Sequence, residues 1–535
     1  MSELGRSGYF GKSSGSRSSR STRSRSSRAR RKERAEGSAW HWFKRDLLAM
    51  REGQVKRTST AHKRFVAALI LIGAGLRAWL LVKPVTVGEA SAYMAFGTQS
   101  VLGIITDYSL PSNQVLHTLL MKLSTSVFGL STWSMRLPAF LAGVLALPLF
   151  YVLVRSLFNR YIALMALALC AASPQLIELS TLALGYSMSW VAMLTAMLLG
   201  RHLVRENNIW SAVFLGLALA LGMWSVPSTI FCAITVYLWA LFSVLGKYQR
   251  SLSERSAMLG LSVLVFILAT LLLYLPVVLE HGVDMLFHHV SEGERTWAAF
   301  RGTYAERVID FWIWMAEPTY GWVLFLGFGA LFHASYISGK FRALAFAMLL
   351  GAVPLATGLM DAGKPWQWSY TVFFFNLGWA IGLFYLLKLL QERVFKTLGK
   401  RTRTGWAAVL LVVLFASGLD VAVRRMAHQG ESRLSANLLG QVLRPDDRLC
   451  FDVRIESIIG FELLAQGMDR ARLQALLSPV APMPSGSTLW LGVGRRSGPN
   501  AVEALGRCGH SADDFSAPTP YKHWERFEIF AARKR

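Results

Sequence analysis

Charge is scarce in this chain, and negative charge is scarcest. Of its 535 residues only 17% are charged, and 32 Asp and Glu face 57 Lys and Arg. A soluble protein of this length carries more charge on its surface, so the composition excludes that class. Cysteine is nearly absent: there are four, with no CxxC pair and no Cys/His cluster. That excludes a structural zinc site. The N-terminal stretch has no short apolar core followed by a small-residue cleavage site, so no cleaved signal peptide is expected. No pair of Gly- or Pro-broken half-helices recurs in two halves of the chain, which argues against a repeat-built transporter or flippase.

What the sequence has in excess is apolar length. Hydrophobic residues make up 53% of the chain, and mean hydropathy is +0.37. Apolar runs fall near 64–82, 134–154, 161–177, 185–200, 209–223, 226–246, 256–279, 320–337, 341–359, 368–390 and 405–423. These predict an all-α polytopic membrane protein with about eleven transmembrane helices, ten to twelve by span length.

The positive charges supply a topology. The net charge is +25, and it concentrates in a tail and in alternate loops. Residues 1–63 form a Ser/Arg-rich tail ("SRSSRSTRSRSSRARRKERAEG") that cannot build a core and is expected to be disordered. The loops "RSLFNR", "RHLVREN", "GKYQRSLSER", "SGKFR" and "KLLQERVFKTLGKRTR" each carry two or more Lys or Arg. One alternating scheme puts the tail and all of these in the cytoplasm. The stretches 83–133 and 280–319 are then external loops, and 424–535 lies outside as well. The tail is expected to touch anionic lipid headgroups. Nucleic acid is not expected as a partner, because no stacking aromatics alternate with the arginines. "AWHWFKRDLLAM", residues 39–50, reads as a short helix on the membrane surface.

The span 64–423 is thus read as the transmembrane domain, with interfacial helices at 88–103 and 113–128 in its first external loop. Residues 424–535 read as a small extracytoplasmic α/β domain. There "DRLCFDVR" and "STLWLGVG" look like strands, and "ESIIGFELLAQGM" and "AVEALGRCG" like helices. Cys450 and Cys508 would share an oxidising compartment and could bond.

Three stretches carry a family resemblance: Gly88-Glu89, the run "WSMRLPAFLAGVLALP" within 108–155, and "ALALCAASPQLIELSTLALGYSMSWVAML" at 166–194. In this order they resemble the GT-C membrane glycosyltransferases, in the branch of the protein O-mannosyltransferases, aminoarabinose transferases and Rgt-type proteins. The similarity covers about 64–390. It implies a polyprenyl-phosphate-linked sugar as donor, transfer at the external membrane face, and a lipid, glycan or protein as acceptor. A bacterial inner membrane follows from the same resemblance. The family's Asp-Glu is Gly88-Glu89 here. Its Pro-Asn-Asn-His is Pro111-Ser112-Asn113-Gln114. Its Tyr-Ser-Arg-Glu-Ala-Arg-Gly-Tyr is "LSTLALGY", residues 179–186. The active-site motifs are degenerate. A catalytically impaired relative that binds a lipid-linked glycan, or scaffolds envelope polysaccharide assembly, is therefore the rival reading.

Transfer from a lipid phosphate needs a base for the acceptor proton and cations for the departing phosphate. Glu89 is the candidate base; it can equally be a helix-start acid favoured by the helix dipole. Asp107, the second acid of the loop, is the other catalytic candidate; it can equally be a turn residue before Tyr108 and Pro111. His117, Glu178 and Tyr186 are candidate substrate contacts. Arg136 could grip phosphate or brace the loop, and Lys364 could contact the donor phosphate. No metal is indicated: His288-His289 with Glu292 has helical spacing but reads as ordinary loop chemistry. No cofactor is expected beyond the lipid-linked donor.

Overall fold

The computed structural model describes residues 59–535 apart from 111–112, 207, 246–251, 284–295, 317–320, 359–362, 394–419, 421–429, 479–481, 495–500 and 525–526. The basic tail, the expected surface helix at 39–50, nearly all of the run 405–423 and the His288–Glu292 segment lie outside the described residues.

The chain opens with helix α1 (Thr60–Leu80), then three short elements: α2 (Val87–Ala92), a π-helical turn at Tyr93–Gly97 and α3 (Val101–Thr106). The expected single helix over 88–103 is therefore broken. Ser100 restarts the chain as an N-cap, its hydroxyl accepting from Gly103 N at 3.0 Å. Helix α4 (Val115–Phe128) matches the second expected interfacial helix. It stops at Gly129, whose φ of 77° suits glycine. Helix α5 (Thr132–Leu157) starts on a reciprocal cap, Ser131 with Ser134, and runs through Pro138 and Pro148.

Helix α6 (Arg160–Ala172) ends where Pro174 forces Ser173 into an extended conformation, φ −64° and ψ 119°. Pro174 then opens the short α7 (Pro174–Leu179) from its first position. The long helices that follow are α8 (Tyr186–Glu206), α9 (Ile209–Ser225), α10 (Thr229–Val244), α11 (Leu252–His281), α12 (Trp297–Ala316), α13 (Gly321–Ile337), α14 (Gly339–Gly358) and α15 (Thr371–Arg393).

Among the described residues three helices are long and apolar enough to cross a membrane: α5, α8 and α11. α4, α6, α9, α10 and the start of α15 are shorter apolar helices. The expected count of eleven spans goes beyond these three. Length is the reason at α6, whose 13 residues reach only ~20 Å at ~1.5 Å per residue, short of a ~30 Å hydrocarbon core.

The C-terminal part holds α16 (Gly430–Val442), β1 (Arg448–Phe451), α17 (Val453–Ala465), α18 (Arg470–Leu476), β2 (Thr488–Gly494), α19 (Ala501–Arg507), β3 (Thr519–His523) and β4 (Phe527–Arg533). The strands form one sheet in the order β1-β2-β4-β3. β1 and β2 are parallel, which requires the crossover that α17 and α18 provide; the other pairs are antiparallel. Strand alternation splits β2 between two cores. Trp490 faces Leu439, Ile459 and Leu463, while Leu489 and Leu491 face Leu505 and Phe515. Cys450 on β1 is disulfide-bonded to Cys508 just after α19, with Cα atoms 6.2 Å apart.

One core joins this region to the first loop. Ile458 and Phe461 of α17 pack with Val85, Ala90, Met121, Met135 and Ala183. Tyr93 meets Phe461 edge to face at 5.5 Å, and Arg470 donates to Thr98 O at 2.6 Å.

Candidate functional site

The sequence between α1 and α2 is built around one buried ion pair. Thr86 caps α2, and the Glu89 carboxylate returns the cap by accepting from Thr86 N at 2.9 Å. Arg136, one turn into α5, donates Nε and Nη2 to the two Glu89 oxygens at 2.7 Å each. Ala183 N adds a fourth donor at 2.6 Å. The rest of the guanidinium caps the end of α1, reaching Leu81 O at 3.1 Å, Lys83 O at 2.7 Å and Pro84 O at 2.9 Å. Both side chains are fully buried. Burial alone would push the Glu89 carboxyl up; the Arg136 charge and the four donors outweigh it and hold it below the usual carboxylate range. Gly88 beside it is exposed, with nothing within 4 Å of where a Cβ would stand.

The altered family motifs meet each other. Gln114 Oε1 accepts from Gly185 N. A Cβ at Gly185 would lie 2.6 Å from Ser225 O, so that close approach requires glycine. Tyr186 follows, buried, its hydroxyl sharing a hydrogen bond with Trp366. Lys364 Nζ stands 5.7 Å over the Trp366 ring. Trp368 stacks near Phe231 at 4.5 Å and Ser369 accepts from Trp190 at 3.0 Å, so the 364–369 turn is pinned to the helices. Asn113 is buried and donates to Ile104 O at 2.9 Å.

The remaining candidates are dispersed. Asp107 ends α3, and its carboxylate accepts from Ser109 N at 2.8 Å and Gln99 Nε2 at 2.7 Å. Partial burial works upward on it, but those hydrogen bonds lower its pKa. His117 on α4 is sealed, with no hydrogen-bond partner for Nε2 among the described residues. Burial pushes its imidazole down to about 4, against the pull of Glu89. Glu178 is different: it is the only residue of 173–183 that is not buried.

The helices enclose two apolar grooves. One, of about 740 Å³, is lined by Leu116, Leu120, Leu141, Val191, Leu221 and Ser225 among others, and carries no charged side chain. The other, of about 630 Å³, is lined by Arg307, Trp312, Met315, Phe341, Trp368 and Phe374 among others. Both volumes suit an organic ligand. Gln175 on α7 donates to Trp314 O at 3.0 Å and Met315 O at 3.3 Å, tying α7 to the wall of the second groove. Glu178 lies one helical turn further along α7. Sequence reasoning missed Gln175 and Arg307; a basic residue in an aromatic-rich segment before "FWIWM" was the available signal for the latter. Among the described residues no group of three His, Cys, Asp or Glu is placed to hold a metal ion.

This arrangement has solved counterparts. ArnT from Cupriavidus metallidurans in the apo state superposes with a TM-score of 0.57 at 14% identity, over 88% of this chain and 98% of that one. ArnT from the same organism bound to undecaprenyl phosphate gives 0.54 at 14% identity, over 87% and 97%. The family model for dolichyl-phosphate-mannose-protein mannosyltransferase matches residues 111–274. This chain shares the fold of ArnT. No curated protein sequence matches it. The family-model match spans α4 to α11, so Arg136, Glu178 and the Gln114–Gly185 contact all fall within it.

Proposed function

We propose that the chain transfers a sugar from a polyprenyl-phosphate donor to a lipid, glycan or protein acceptor on the extracytoplasmic face of the membrane. The second groove holds the prenyl chain, Arg307 and Lys364 meet the phosphate, and Glu178 takes the acceptor proton. Glu89 and Arg136 serve as the frame rather than as base and phosphate ligand, because each spends its hydrogen-bonding capacity on the other and on backbone. Gln114 holds Gly185, and Tyr186 ties the start of α8 to Trp366. Asp107 shapes its own loop. No metal or organic cofactor enters this reading.

The carrying observation is the second groove: an apolar trough with a guanidinium in its wall, hydrogen-bonded through Gln175 to the helix that presents Glu178. Binding of undecaprenyl phosphate by ArnT, a protein of the same fold, supports the donor class. The Cys450–Cys508 disulfide supports an oxidising, extracytoplasmic location for the C-terminal region and the loop it packs on.

A second reading, donor binding without transfer, is favoured by the missing side chain at Gly88 and the sealed carboxylate of Glu89. Purified protein in lipid is supplied with a panel of radiolabelled polyprenyl-phosphate sugars and a membrane extract as acceptor. Transfer that is lost in Glu178→Gln while donor binding persists supports the enzyme. Donor binding by the wild type with no transfer from any donor replaces it with the second reading.

A further inference from the structure

We infer that Arg77, a buried arginine in the first apolar helix, is a positioning residue that clamps both ends of the α7 segment and so sets where Glu178 stands. The inference deepens the proposed transfer and rests on it for the role of Glu178; the clamp itself rests on geometry alone.

Arg77 lies in α1 and is 1% exposed. Charge at that depth is expensive and is retained where it does something. None of its hydrogen-bond acceptors is a carboxylate. Nη1 donates to Gly73 O at 2.9 Å and Ala171 O at 3.2 Å, Nη2 reaches Cys170 O at 3.4 Å, and Nε donates to Ser180 Oγ at 3.0 Å. Cys170 and Ala171 are among the last residues of α6, before the break at Ser173-Pro174. Ser180 is the first residue after α7. One guanidinium therefore touches the chain on both sides of the six-residue helix that carries Glu178.

The chemistry fits this use. The last carbonyls of α6 have no partner within their own helix and form the negative end of its dipole, where a cation is favoured. A planar fork with several fixed N–H directions reaches both sides at once, which an ammonium does not do. Ser180 relays the contact: its hydroxyl accepts from Arg77 and is 2.6 Å from Leu176 O, inside α7. The surroundings leave little slack. A Cβ on Gly143 would stand 2.2 Å from Ser180 Cβ, and one on Gly73 would stand 3.1 Å from Ala171 Cβ. With 173–177 and 179–183 all buried and Glu178 half-buried, the position of Glu178 follows from how this segment is seated.

The test reads position 178 directly. Glu178→Cys is introduced into the full chain in lipid and treated with a membrane-impermeant maleimide. Cys170 and Cys232 are buried and Cys450 is bonded to Cys508, so the label reports the new thiol. The labelling rate is compared with Arg77 intact, with Arg77→Met, with Arg77→Lys, and with Ser180→Ala, which removes one hydroxyl and no charge. The expected result is a several-fold change in rate for Arg77→Met, a smaller change in the same direction for Ser180→Ala, and partial restoration by Arg77→Lys. In the chain that keeps Glu178, transfer should lose kcat with KM little changed. An unchanged labelling rate in Arg77→Met and Ser180→Ala overturns the inference; if Arg77→Met does not fold, Ser180→Ala decides. A labelling shift in a chain that transfers no sugar supports the clamp and removes the proposed reaction. Transfer that depends on Glu178 with no labelling shift removes the clamp and leaves the reaction.

Discussion

Arg136 holds both carboxylate oxygens of Glu89 at 2.7 Å and, with the same guanidinium, the carbonyls of Leu81, Lys83 and Pro84 just past α1. The two residues are 47 apart in sequence, and together they join α1, the first loop and α5. Breaking a buried pair by removing one partner leaves an uncompensated charge. Arg136→Leu and Glu89→Gln should each lower stability, the former by ~3–5 kcal/mol. The double variant should recover part of that loss in a double-mutant cycle, measured by thermal unfolding in detergent.

Gly88→Asp should be tolerated. Its Cβ meets nothing within 4 Å, and an acid in the first turn of a helix is electrostatically favoured. Melting temperature should stay at the wild-type value, a change within ~0.5 kcal/mol. With Glu178 as the base, transfer of label from the donor panel should stay at the wild-type level in the same variant.

Acid should destabilise the fold earlier than carboxylate titration predicts. His117 has a folded-state pKa of about 4, against ~6.5 for a free imidazole. The unfolded chain therefore binds the extra proton first. The contribution is present in full above ~6.5 and is lost as pH falls toward the folded value, by at most ~3 kcal/mol. Glu89 has its pKa lowered, so its own contribution goes only at more acid pH, below the ordinary carboxylate range. Denaturant titrations from pH 7 to 4 should show the slope in the wild type and a flatter curve in His117→Phe. That variant also removes an unpartnered ring nitrogen, so its stability at neutral pH should fall little.

Reducing the Cys450–Cys508 bond opens a link across 58 residues. Cys508→Ser should cost ~2–5 kcal/mol. Since α17 begins just after Cys450 and packs on Val85 and Ala90, the first loop should become more sensitive to protease in the same variant.

Gly185→Ala should be more damaging than its surface-free position suggests. The added methyl meets Ser225 O at 2.6 Å and displaces Gln114. A loss of ~1–3 kcal/mol is expected for overpacking of this kind, read out as a lower melting temperature with loss of transfer.

Much of this protein was legible from its residues in order. Long apolar runs and unequal loop charge gave the membrane class, because a hydrocarbon core selects for length and polarity and little else. Alternating apolar residues gave the two C-terminal strands at 448–451 and 488–494. Pro174 and Ser131 mark helix boundaries by local rules that need no partner. The Gly88-Glu89 and "LSTLALGY" stretches drew attention through the resemblance they carry. What those residues do there was decided by contacts far apart in the chain. Glu89 is a plausible base as a sequence and a locked anion once Arg136 and Ala183 close on it. Arg77 is one basic residue in an apolar run until folding brings Ser180, 103 positions away, to its Nε. Glu178 is a candidate contact in the sequence; packing buries 173–177 and 179–183 and leaves it half-buried. Local periodicity fixes which elements form; which side chains are buried and paired depends on contacts that only three-dimensional packing imposes.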